Sequence, residues 1–245
     1  MTEAQGRPGD RLGDLLTLQV WLSPAFPVGG FTYSHGLEWA IEAGVVTSAA
    51  SLERWLGDVL EHGAGRSDAI LSAAAHRAVA ADDLDALAEV IELAAAFQPS
   101  KERRLEATAQ GAAFVRAITD TWSTPRFDAV AAGLAARFAA RGASAVPWTF
   151  APAVGSAAAA QGLALADVAP AFVQAFAANV ISAGVRAVPL GQSDGLRVLR
   201  ALTPVVRRIA TAAEIATIDD IGGATAVADI ASMRHETQYT RLFRS

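Results

Sequence analysis

The 245-residue chain is 52% hydrophobic with a net charge of −5. It is too apolar for a disordered regulator, and its scattered cations make no basic stripe for nucleic acid. With no cysteine it can hold neither a disulfide framework nor a thiolate metal site, which is compatible with a reducing cytoplasm.

The N-terminal MTEAQGRPGDRLGD is polar and acidic, so no secretory leader is read there; residues 1–10 read as a flexible end. Leu12, Leu15, Leu16, Gln19 and Leu22 share one face of a first helix that Ser23-Pro24 stops. SLERWLGDVLEHG places Leu52, Trp55, Leu56, Val59 and Leu60 on a second face, capped by Thr47 or Ser48 and stopped by Gly63. DDLDALAEVIELAAAF repeats the pattern through Leu84, Leu87, Ala88 and Ile91, opened by Asp82 or Asp83. Ser100 caps KERRLEATAQGAAFVRAI, and Phe127, Val130, Ala131, Leu134 and Phe138 mark a helix ending at Gly142.

PWTFAPAVGSAAAAQG is small enough to let a neighbouring helix approach closely. Ala169 to Leu190 is nearly long enough to cross a bilayer, but Gln174, Asn179 and Arg186 interrupt it and Pro189 ends it. It reads as a central helix of a soluble fold, surrounded by other helices. Leu196 to Ala213 reads as helical with a break at Pro204, and a last helix spans roughly Thr225 to His235. Strand alternation and linkers are missing, so residues 11–245 read as one compact all-α domain, with 236–245 as a C-terminal interaction tail.

Candidates for chemistry are sparse. Ser34 lacks the preceding strand of a nucleophile elbow and reads as the N-cap of a helix beginning at His35, with His35 and Glu38 on one face. His35, His62, His76 and His235 form no i, i+4 metal pair, each read singly as a surface or capping residue, and no phosphate loop is present. Asn179, the only asparagine, is expected to fix helix register, and Arg186 to meet a buried carboxylate or an interface. PVGGFTY sets two aromatics beside paired glycines, and MRHETQYTRLFRS mixes aromatics, Leu and Arg in hot-spot proportions.

Four stretches, SPAFPVGGFTYSHGLEWAIEAG, SKERRLEATAQG, AFAANVISAGVRAVPLGQSDG and DIASMRHETQYTRLFRS, resemble the UreF urease accessory family in their order. Leu196 departs from the resemblance, standing where that family often carries Gln. The resemblance implies an all-helical, dimer-forming cytoplasmic protein without catalytic residues, cofactor or metal site of its own. It implies a bridge between UreD/UreH and the GTPase UreG that couples GTPase state to nickel insertion into apo-urease. Partner-contact candidates carried over are Gly29, Gly30, Phe31, Tyr33, His35, Arg234, His235, Glu236, Tyr239, Arg241, Leu242 and Phe243. The tail is expected to fold back beside Phe31, with Arg241 on backbone carbonyls there.

A competing class is a helical enzyme using His35 with Glu38 or His235 for acid–base or metal chemistry, which requires at least two of those groups to converge in a concave pocket with perturbed titration. A small-ligand sensor is a third, and requires a cavity in the helical core.

Overall fold

The computed structural model describes residues 10–188 and 190–245. The expected flexible end, apart from Asp10, and the stop at Pro189 lie outside them. Eleven α-helices and two short 3-10 turns make up the regular structure, with no strand among the described residues. The fold is all-α and compact.

In chain order α1 is Arg11–Trp21, α2 Leu37–Glu42, α3 Ala49–His62 and α4 Ala64–Ala80. Then come α5 Leu84–Ala96, α6 Lys101–Thr121, α7 Pro125–Ala140 and α8 Phe150–Ala160. The last three are α9 Leu165–Ala187, α10 Gln192–Ile215 and α11 Ala226–His235.

Capping fixes the starts. Ser48, Asp83, Ser100 and Thr124 each accept a first-turn backbone N–H of α3, α5, α6 and α7. Each such cap is worth about 1 kcal/mol. All five apolar residues of the α3 stripe are buried, worth roughly 1.5–3 kcal/mol per fully buried large side chain.

The sequence pattern marks no stripe for α4, yet α4 runs through the centre against α3, α5, α8, α9 and α10. Its Ala and Ser are buried on several sides, so it shows no amphipathic contrast. The seam between α4 and α8 is tight because α8 is small: a Cβ at Gly155 would sit 2.0 Å from the Ser72 carbonyl oxygen. Here the close approach expected of the small-residue segment is found.

Three expectations need correction. Pro204 does not break α10. It sits on the exposed side, while Val198, Leu202, Val206 and Ile209 continue the buried stripe past it. That packing outweighs the roughly 3 kcal/mol that an interior proline costs. The Leu12, Leu15 and Leu16 face of α1 points outward, and Leu18 and Trp21 make the core contact instead. Finally, α9 packs on α2, α3, α4, α8 and α10 but is not enclosed, since Ser182 and Arg186 reach solvent. It is the one described helix long and apolar enough to cross a membrane, and half of its apolar window is buried inside the fold.

Candidate partner-binding surface

The loop before α2 and the residues after α11 meet on one side of the molecule. Gly29 turns the loop with φ +70°, and Gly36 turns it again at φ +76°. A side chain on Gly36 would also collide with α11, its Cβ 2.7 Å from the Ser232 nitrogen. His35 itself takes φ 57°, so α2 begins at Leu37 and not at His35. The N-cap is therefore Gly36 and not Ser34, although Ser34 Oγ still accepts the Glu38 N–H at 3.3 Å while its own N–H donates to the Ser245 carbonyl at 2.7 Å.

The tail does fold back, though by a different bond from the one expected. Arg244 N–H donates to the Thr32 carbonyl at 2.8 Å. Arg241 reaches no backbone carbonyl among the described residues; its guanidinium donates to Glu102 Oε1 at 2.6 Å. The carboxylate was invisible to sequence reasoning because it lies on α6, 139 residues away.

Beneath the tail is a buried polar clamp. Glu38 Oε1 accepts the Leu242 N–H at 2.6 Å, and Oε2 accepts the Phe243 N–H at 3.0 Å. His235, with no exposed surface, places Nε2 3.1 Å from Glu38 Oε2 and Nδ1 2.6 Å from Glu102 Oε2. The ring is thereby held between two carboxyl groups, one from α2 and one from α6. Glu236 completes the clamp from outside, accepting Lys101 N–H at 2.9 Å at the start of α6.

A second cluster lies next to it. Glu106 pairs with Arg103, accepts the Ser245 hydroxyl, and lies 3.0 Å from His35 Nε2. Burial pushes its carboxyl pKa up, but Arg103, then His35 and the bonds from Arg103 and Ser245, hold it below its usual value. Burial, then Arg103, lowers His35 to about 3 against the opposing pull of Glu106. His35 is therefore neutral at pH 7, and its buried Nδ1 has no partner among the described residues.

The candidate contact residues divide cleanly. Tyr33, His235 and Phe243 are buried in the chain's own packing. Gly29, Gly30, His35 and Glu236 are partly buried and support the turn and the clamp. Phe31 (56% exposed), Leu242 (72%), Tyr239, Arg234 and Arg241 face outward. Arg186 pairs with no carboxylate among the described residues; its guanidinium lies 4.6 Å from the Phe243 ring centroid and pins the tail. Asn179 sets no helix–helix register but ties α9 to the loop before α2, donating to the Gly30 carbonyl at 3.1 Å. Leu196 is exposed and makes no polar contact.

The enzymatic arrangement is not formed. His235 and Glu38 do come together, 3.1 Å apart, but under the tail and not in a cavity, while His35 engages Glu106 instead of either of them. Neither Glu38 nor His235 borders either of the two cavities described. The reading of His35 and His235 as surface or capping residues is likewise corrected, since both are engaged by buried carboxylates and only His62 is largely exposed.

An all-helical body carrying a clamped tail with outward apolar and cationic side chains is a surface-presenting protein, not a pocket built for turnover. The UreF family model matches residues 46–203, more than half of the chain. The chain is 51% identical over 231 residues to the urease accessory protein UreF of Bradyrhizobium sp. strain BTAi1, covering 94% of this chain and 92% of that one. It is 51% identical to UreF of Rhodopseudomonas palustris strain HaA2 over the whole of both chains. UreF of Methylorubrum populi is 48% identical over 95% of this chain and 99% of its own. The chain belongs to the UreF family, whose members are accessory proteins and not enzymes in their own right.

Proposed function

We propose that the chain is a urease assembly factor: it bridges UreD/UreH and the GTPase UreG and couples the GTPase state to nickel insertion into apo-urease. It works in the cytoplasm as a homodimer, and nickel and GTP belong to the assembled complex. Family membership and the relatives' shared name, urease accessory protein, support the broad role.

The observation that carries the bridging role is the clamped tail. Glu38, Glu102 and His235 spend buried charge to hold a segment whose Leu242, Tyr239 and Arg241 face away from the core. This foundation fixes where those side chains stand, which supports reading them as a presented surface. Phe31 extends the same surface, because Arg244 bonds its loop through Thr32. The outward Leu12, Leu15, Leu16 and Val20 face of α1 supports a second contact, since contiguous exposed apolar residues mark association surfaces.

Co-purification tests this. Ending the chain at Met233 would remove buried His235, so point variants are the cleaner probe. Tyr239→Ser with Leu242→Ser should leave the melting transition unchanged and abolish recovery of UreD/UreH, UreG and apo-urease. Full recovery of the complex would remove the tail surface from the account.

A further inference from the structure

Beside the clamp is a cavity of about 160 Å³ between α1, the loop before α2, α4, α6, α8 and α9. Four ionisable side chains border it: His35, Asp68, Arg103 and Glu106. Arg103 and Glu106 neutralise each other, and His35 is uncharged at neutral pH. Asp68 is left over. Among the described residues no hydrogen bond or ion pair reaches its carboxylate; burial, partly offset by Arg103, raises it to about 6.

At pH 7.5 the cavity therefore holds one negative charge with no partner. Asp68 is partly buried, and a cation placed beside a half-desolvated carboxylate offsets the cost of its lost hydration. The remaining wall includes four phenylalanines, with Phe31 at the exposed side and Phe150, Phe172 and Phe176 further in. Ring faces attract cations, most strongly where water is excluded. No group of three His, Cys, Asp or Glu among the described residues is placed to hold a metal ion, so the wall suits a carbon-bearing cation better than a bare metal. Trp21 and Thr149, both buried and both bordering the cavity, keep Nε1 and Oγ1 without partners, which favours a ligand that also carries an oxygen.

We infer that this cavity binds a small organic cation, an alkylammonium or guanidinium group that pairs with Asp68 and lies against the phenylalanine rings. A free amine and an arginine side chain inserted by a partner protein share this chemistry. The inference is independent of the bridging role proposed above.

Calorimetric titration of the full chain with choline, Nα-acetylarginine amide and the uncharged choline isostere 3,3-dimethylbutan-1-ol tests it. One of the two cations should bind at least about tenfold tighter than the neutral isostere, a difference set by the charge. Asp68→Asn and Phe176→Leu should each weaken that cation about tenfold, as should lowering the pH from 7.5 to 5. Preference for choline assigns a free amine, and preference for the arginine amide assigns a protein side chain. Should Asp68→Asn fail to fold, the Phe176→Leu and pH arms still decide. Absence of binding by both cations, or equal binding of the neutral isostere, overturns the inference. So does nickel chloride binding that displaces the organic cations and is unaffected by Phe176→Leu.

Discussion

Where α4 meets α8, the helices touch through alanine, serine and Gly155, and burial is achieved by bringing backbones together. Where the tail meets α2 and α6, burial is achieved by Glu38, Glu102 and His235, each matched to a named donor or acceptor. The first contact depends on volume and is insensitive to pH. The second depends on hydrogen-bond and proton matching, and fails when a single partner is removed. A seam of the first kind suits a permanent core, whereas a clamp of the second kind suits a segment whose placement must be specific.

The contrast is broken most severely at Gly155. Gly155→Val should abolish soluble expression or lower the melting temperature beyond any other single change considered, because its Cβ must displace the Ser72 carbonyl. Thermal melts of the recovered protein would check this.

Next comes Glu38→Ala. The Leu242 and Phe243 N–H groups lose their acceptor and His235 loses one partner, an expected cost of about 1–3 kcal/mol for each buried donor left unsatisfied. Denaturant melts would measure it.

A smaller effect separates the groups bordering the cavity by pH. His35 is depressed to about 3 from its usual 6.5, so the unfolded chain takes up the proton first and stability falls as pH drops through that window. Asp68 is raised to about 6 from 3.8, so its contribution has the opposite sign: it is present at low pH and lost as pH rises towards 6. Asp68→Asn should therefore raise the melting temperature at pH 7.5 and change little below pH 4. His35→Asn, which tolerates the positive φ, should flatten the acid limb. Melting curves from pH 3 to 8 compare the two.

The smallest stability change is expected for Tyr239→Ser with Leu242→Ser, within about 0.5 kcal/mol, since both side chains are exposed. Its effect should appear in partner recovery alone.

The sequence made these two regions unequally legible. The stripes and caps of α3, α5, α6 and α7 are local, and period and N-cap chemistry suffice to find them. α4 escapes because alanine on several sides carries no period. The outward face of α1 shows that periodicity finds an apolar stripe without saying what covers it. In the clamp, the glycines, aromatics and arginines marked the right segments. The pairing of His235 with Glu38 spans 197 residues, however, and no local pattern encodes it. Arg241 was assigned to carbonyls for the same reason: its carboxylate is contributed by a helix remote in sequence.

The most direct test of the central claim combines amide hydrogen exchange with partner assembly in Glu38→Gln. The account predicts that the Leu242 and Phe243 amides lose protection, that α3, α4 and α8 keep theirs, and that the complex with UreD/UreH and UreG no longer forms. Normal assembly by a variant whose tail amides exchange freely would contradict it.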